Sequence, residues 1–200
     1  MLRRQLFTGL KIIIVLLVLT CGVYPAAVWA VGRVAFNPQA NGSFVKANGK
    51  VVGSSLIGQS FVDKDGSPLP RYFQPRPSAA GNGYDPTASG GSQLGPSNPK
   101  LWDQVQTRVV AYRELNKLPG NATVPVDAVT ASGSGLDPDI SIANALLQAP
   151  RVAAARGLPT DVVVKLVRGH SNGRQWGILG EKTVNVLDLN LALDRLSPPG

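Results

Sequence analysis

Few side chains in this sequence can do chemistry. The single histidine, His170, lies in the polar run Arg168-Gly169-His170-Ser171-Asn172-Gly173, and the single cysteine, Cys21, lies inside an apolar stretch. A nucleophile–base pair or a thiol and imidazole metal set needs more of these residues than the chain offers. His170 therefore reads as a solvated loop residue. Asp137 and Asp139 flank Pro138 and can form a carboxylate pair, but a short acidic loop serves equally to cap a helix start. The remaining candidate is Ala88-Ser89-Gly90-Gly91-Ser92-Gln93. Successive backbone N–H groups at Ser89, Gly90, Gly91 and Ser92 can cradle a phosphate. The loop lacks the lysine of a P-loop and does not open into a helix after a strand, so a structural or partner-contacting role competes with phosphate binding. No catalytic residue and no metal site is expected.

What must position these groups begins at the N-terminus. Residues 12–32 carry no charge and are bounded by Lys11 and Arg33. As a helix this stretch spans about 31 Å, close to the hydrocarbon thickness of a bilayer. Arg3, Arg4 and Lys11 ahead of an apolar run also suit a cleaved signal peptide, with Val28-Trp29-Ala30 as a cleavage site, and Cys21 admits a lipoprotein reading that the bulk of Thr20 opposes. The apolar character persists beyond Pro25 to Arg33, and Tyr24 and Trp29 stand where an interfacial aromatic belt would lie, which favours an anchor. All three readings hold residues 1–11 in the cytoplasm by the positive-inside rule and place residues 33–200 outside. With Cys21 in the span, the external part has no disulfide and relies on its core, for which about 165 residues suffice as one domain.

The formal net charge is +8. Outside the three N-terminal cations, 17 basic residues face 12 acidic ones and leave +5, scattered singly. No basic run with interleaved aromatics points to nucleic acid. The balance suits a surface near anionic lipid or a partner protein.

In the external part, residues 33–50 read as a polar spacer and residues 51–200 as the domain. Residues 51–62 suggest a strand bent at Gly53 and Gly58. Residues 63–99 are dense in proline and glycine, which excludes most regular structure, yet Tyr72, Phe73, Tyr84 and Leu94 supply anchors. An ordered segment of that length is expected to be functional, and Arg76, Tyr84, Asp85 and Ser89 are its candidates for touching a partner. Asn98-Pro99 starts an amphipathic helix through Leu101, Trp102, Val105, Val109, Tyr112 and Leu115 to about Asn116. Val124 to Val129 suggests a short strand. Ser141 caps a helix kinked by Pro150 and ended by Gly157, Thr160-Asp161 opens another, and Asn185 with Asp188 starts a last one ending near Leu196. Helices outnumber strands without βαβ alternation, so the class is α+β: one N-terminal transmembrane helix followed by a single extracytoplasmic α+β domain.

Several strings now align in order. They are Arg71-Tyr72-Phe73, Arg76-Pro77-Ser78-Ala79, Tyr84-Asp85, Ala88-Ser89-Gly90-Gly91-Ser92 and Asn98-Pro99. Val124-Pro125-Val126-Asp127, Val129 to Asp137, Arg151-Val152-Ala153, Ala155-Arg156 and Val184 to Asp194 follow. Together they resemble the C subunit of potassium-transporting Kdp P-type ATPases over roughly residues 6–196. Two positions depart from that family's pattern: Asp139 stands where many members carry histidine, and Ser141-Ile142 lacks the proline that often follows the serine.

The resemblance implies a non-catalytic accessory subunit of an inward K⁺ pump, retained in the membrane by its span. The implied partners are a potassium-channel-like subunit, a P-type ATPase subunit and a small hydrophobic subunit, besides membrane lipid. The subunit itself would carry no cofactor, while the complex would use ATP, Mg and K. The family role is a catalytic chaperone that raises the ATP affinity of the hydrolysing subunit. An anchored or secreted extracytoplasmic binding module is the alternative, and an enzyme ranks third for want of a nucleophile and base.

Overall fold

The computed structural model describes residues 2–47 and 49–198, with the side chain of Pro38 left out of the description. It divides into two units, Met1–Phe44 and Val45–Gly200. The first is dominated by one continuous helix, Leu2–Ala35. It consists of α1 (Leu2–Leu17), a π-helical segment Val18–Val23, and α2 (Tyr24–Ala35); α3 (Asn37–Ala40) follows. None of the side chains from Leu2 to Ala35 is buried. A helix apolar on all sides from residue 12 to residue 32, with no buried side chain, suits lipid as its solvent.

The π-helical segment has a local cause. Pro25 has no N–H to donate, and its ring crowds the carbonyl four residues back, that of Cys21. Just before it the backbone widens: the Tyr24 N–H donates to Leu19 O, five residues back. Thr20 Oγ donates to Leu16 O at 2.7 Å, adding a side-chain bond within the same turns. Such bulges are recognised sources of helix bending. The disturbance that Pro25 imposes takes the form of a π-helical segment upstream. The helix also runs through residues 2–11, which the sequence marks only as a charged N-terminus.

The second unit is α+β. A two-stranded sheet pairs β1 (Phe44–Ala47) with β2 (Lys50–Ser54). Residues 33–50 hold the end of α2, α3, β1 and the start of β2. After residues 55–98, which contain no helix and only isolated bridges, come α4 (Pro99–Asn116), α5 (Val126–Val129), β3 (Asp139–Ser141), α6 (Ile142–Arg156), α7 (Thr160–Gly169), β4 (Ser171–Asn172), β5 (Thr183–Asn185) and α8 (Val186–Leu196). The second sheet has the order β3-β5-β4 and is antiparallel, with Ile140 opposite Val184 and Ser171 opposite Val184.

The core follows from helical spacing. Ala145, Ala149 and Ala153 recur every four residues on α6, and their small side chains permit close approach by α7, which presents Val163 and Val167. Leu189 and Leu193 on α8, Ile140 on β3 and Val184 on β5 join the same cluster, as does Phe73 from the irregular segment. Fully burying Phe73 contributes about 2–3 kcal/mol of apolar transfer energy, the same order as a core leucine. Helix ends are satisfied by side chains: Asn98 Oδ1 accepts from Lys100 N–H, Ser141 Oγ from Asn144 N–H and Asn185 Oδ1 from Asp188 N–H. Gly157 ends α6 at φ 65°.

Two expectations change. Val126–Val129 is a helical turn, not a strand. Pro125 sets φ −59° at its start, Thr130 Oγ bonds back to Val126 O, and Asp127 turns toward α6 to accept from Ser141 and Asn144. The period read for α4 is right, but its face is shallow: Trp102 is largely exposed and only Asn116 is buried.

Candidate functional site

The Pro/Gly-rich segment contains a strap, residues 70–78, whose backbone has no strand partner. Buried side chains of α6 and α8 serve instead. Asn190 accepts from Phe73 N–H at 2.9 Å and donates to Phe73 O at 3.0 Å. Gln148 does the same one residue along, accepting from Gln74 N–H at 2.8 Å and donating to Gln74 O at 3.1 Å. Each carboxamide thus mimics one rung of a β-ladder, satisfying a donor and an acceptor that would otherwise be costly to bury. Arg151 grips Pro70 O and Tyr72 O, and Arg156 donates to Arg71 O at 2.7 Å.

These clamps are themselves held. Arg151 also donates to Asn116 and Gln148, and Gln148 to Asn144, whose Oδ1 accepts from the Tyr112 hydroxyl as well. The line ends at Asp127, which accepts from Asn144 and from both the N–H and the hydroxyl of Ser141. Burial lowers the Arg151 guanidinium to about 10, with the Tyr112 phenol acting in the opposite sense. Burial, then the charge of Asp127, raises the Tyr112 phenol. Arg156 bridges Asp194 at 2.8 Å and lies over the Tyr72 ring at 4.9 Å, so one cation fixes strap, α8 and aromatic ring together.

Beyond Gln74 the strap meets the glycine-rich loops. Arg76 pairs with Asp137 at 2.9 Å, and its Nε is buried without an acceptor among the described residues. Tyr84, at φ 55°, donates its hydroxyl to Arg76 O. Burial first and Asp137 second raise its phenol. Ser78 Oγ is a hub that donates to Gly135 O and accepts from the N–H groups of Ala80 and Tyr84. Gly135 needs its missing side chain twice over: φ is 68°, and a Cβ would stand 2.7 Å from both Ala80 N and Gly90 O.

The four partner-contact candidates fall in one stretch of this surface but do different work. Arg76 and Tyr84 are half-buried and bonded inward. Asp85 forms a turn, its carboxylate accepting from the N–H and hydroxyl of Thr87, and those bonds hold its carboxyl below the usual range. Ser89 is exposed and donates to Ser134 O at 3.0 Å. In the phosphate-loop candidate, the Gly90 N–H is committed to Ser134 O at 2.8 Å, and Gly91 lies against Gly133. Two Gly/Ser loops therefore pack on each other here. Asp137 and Asp139 have separate partners: Asp137 takes Arg76 and the Asp139 N–H, whereas Asp139 accepts from Thr183. His170 is exposed at the end of α7, with Nδ1 3.0 Å from Leu166 O.

A cleft of about 520 Å³ opens beside the strap, lined among others by Arg76, Tyr84, Arg108, Tyr112, Glu114 and Gln148. Arg108 donates to Val129 O at 3.1 Å, and burial lowers its guanidinium. Sequence reading singled out neither Gln148 nor Asn190 nor Arg108. The available signal was polar: Asn144, Gln148 and Arg151 share one stripe of a helix that is otherwise rich in alanine and leucine.

The architecture is one N-terminal helix long and apolar enough to cross a membrane, followed by a unit built around a clamped irregular strap. The family model described as K⁺-transporting ATPase, c chain, matches residues 6–195. The potassium-transporting ATPase KdpC subunit of Mycobacterium tuberculosis (strain ATCC 25618 / H37Rv) is 54% identical over 195 residues, covering 98% of this chain and 100% of the relative. The subunits of the same name from Kineococcus radiotolerans and Rhodospirillum rubrum are 52% and 50% identical, each over 98% of this chain and over 96% and 97% of their own lengths. The chain belongs to the KdpC family and is a subunit of a potassium-transporting ATPase complex.

Proposed function

We propose that this chain is the non-catalytic accessory subunit of a high-affinity K⁺ uptake pump, stabilising the assembly and raising the ATP affinity of the hydrolysing subunit. The observation carrying this reading is the clamped strap. Its carbonyls from Pro70 to Gln74, and the N–H groups of Phe73 and Gln74, are fixed by buried side chains. A surface already ordered before binding loses little entropy when a partner docks, so Arg76, Tyr84, Asp85 and Ser89 are presented on a preorganised platform. Its partners are the channel-like subunit, the P-type subunit and the small hydrophobic subunit. ATP, Mg and K belong to the complex, not to this chain.

The N-terminus lies in the cytoplasm and the second unit outside, because Arg3, Arg4 and Lys11 precede the span and Arg33 alone closes it. Cytoplasmic nucleotide then never meets residues 89–92. The ATP effect works through the pump's conformational equilibrium, by tighter binding of this subunit to one state. Photo-crosslinking with an ATP analogue added to the cytoplasmic side of oriented vesicles tests this. Label on the P-type subunit alone is expected, and label within Ser89–Gln93 overturns the indirect route.

The cleft beside the strap favours a second reading, an anchored binding module with no link to ATP. Purification from native membranes separates the two. Recovery with three membrane subunits, and weaker ATP binding by pump lacking this chain, supports the accessory role. Recovery of the chain alone supports the module.

A further inference from the structure

Between β4 and β5 the chain makes a hairpin tip that the core does not use. Gln175 and Leu179 exchange backbone hydrogen bonds at 2.9 and 3.0 Å, and Gly177 N–H donates to Arg174 O. The turn holds Trp176 at φ 53° and Gly177 at φ 80°. A bulky side chain in the left-handed region is uncommon, and such outliers concentrate where a surface has work to do. This turn throws its apolar side chains outward. Trp176 is 88% exposed, the highest value for any large apolar residue among the described residues, and Ile178 and Leu179 are 74% and 50% exposed. Trp102, the other tryptophan of this unit, donates its indole N–H to Pro96 O; that of Trp176 has no partner among the described residues.

We propose that this tip inserts into the surface of an anionic lipid bilayer. Three observations converge on lipid rather than protein. The tip is convex and carries three large apolar groups, too small an area for a standard protein interface, whereas lipid needs no matching pocket. Tryptophan with an available indole N–H is the side chain best suited to the boundary between headgroups and hydrocarbon. Between residues 168 and 182 the cations Arg168, Arg174 and Lys182 outnumber the single carboxylate, Glu181, which lies 3.6 Å from Arg174 in an exposed pair. The apolar helix Leu2–Ala35 supplies the remaining term: a chain anchored in a bilayer meets that surface at high effective concentration, so a weak second contact suffices. The inference rests on the anchor and is independent of any link to ATP.

The test uses the full chain with Trp29→Phe and Trp102→Phe, leaving Trp176 as the only indole. It is reconstituted into phosphatidylcholine vesicles with or without phosphatidylglycerol, and into the same mixtures with acyl chains brominated near the headgroup. In anionic vesicles the emission is expected to shift to the blue, with severalfold stronger quenching by bromolipid than in neutral ones and weak quenching by aqueous iodide. Ile178→Asn, or Arg174→Gln with Lys182→Gln, is expected to reduce the bromolipid effect severalfold, with unchanged circular dichroism as the folding control. Free access to iodide without bromolipid quenching overturns the proposal, as does quenching that is equal in neutral and anionic vesicles. Shielding of Trp176 that appears only with protein density, or only on assembly with the other pump subunits, overturns it in favour of a second copy or a protein partner.

Discussion

A single carboxamide can replace a strand where it meets both polar groups of one residue, and Asn190 does so for Phe73. Asn190→Ala leaves a buried N–H and a buried carbonyl without partners and is expected to destabilise the second unit by about 2–4 kcal/mol. Hydrogen exchange locates the effect: the Phe73 amide loses protection before the amides of α7 do. Gly135 supplies a paired prediction. Gly135→Ala puts a methyl against backbone at 2.7 Å in a left-handed conformation, whereas nothing lies within 4 Å of a Cβ at Gly133. The first is expected to lower the melting temperature by several degrees and the second to leave it nearly unchanged. The tyrosines give a pH dependence of definite sign. Burial first, then Asp137 and Asp127, raise the phenols of Tyr84 and Tyr112 above the ordinary value near 10, and burial with Asp194 raises Tyr72. From pH ~10 up to their folded-state values the unfolded chain releases protons that the folded chain keeps, so stability falls as pH rises. Tyrosinate absorbance from these three phenols is expected to appear together with loss of the near-ultraviolet circular dichroism, not before it.

Among the elements, helices with a local start signal were legible, the strand expected over residues 51–62 is realised only as β2, which ends at Ser54, and the short strands of the second sheet were not legible. Asn98-Pro99, Ser141 and Asn185 each place a side-chain acceptor ahead of an apolar period, and the three helices begin where those residues predict. The strands β3, β4 and β5 have three, two and three residues, too few for alternation to register, and β3 finds its partner residues in β5 over 40 positions away. Val124 to Val129 reads as β-branched and folds as a turn of helix because Pro125 and the contacts of Asp127 outweigh local preference. The strap was legible as irregular and anchored, since Tyr72 and Phe73 do anchor it, but its clamps were not. Gln148, Arg151 and Asn190 lie inside helices whose apolar periods describe only one of their two buried faces. Capping separates the helices further. Asn98→Ala removes one exposed acceptor and should cost about 1 kcal/mol. Asn185→Ala removes the cap of α8 and the bond from Asn185 to Ser55 O, and should cost about 2–3 kcal/mol by denaturant titration.

At the scale of the whole molecule, a helix long and apolar enough to cross a membrane is joined to a unit whose core is built from α6, α7, α8, the β3-β5-β4 sheet and Phe73 of the strap. The first half needs lipid or partner helices, whereas the second presents a fixed surface. That division suits a subunit that reports and biases the state of something larger, and thermodynamics then imposes a symmetric requirement. If this chain raises the ATP affinity of the pump by some factor, ATP must tighten the pump's hold on this chain by the same factor, whatever path joins the two sites. The reciprocal effect is measurable without locating any contact. Full-length chain carrying a fluorophore on an exposed residue is exchanged against unlabelled chain in nanodisc-embedded pump, with and without saturating non-hydrolysable nucleotide. A tenfold gain in ATP affinity requires a tenfold tighter hold on the chain, about 1.4 kcal/mol of coupling. An unchanged hold on the chain, measured in a pump whose ATP affinity does depend on it, breaks the linkage and leaves a purely kinetic effect on turnover as the role of the subunit.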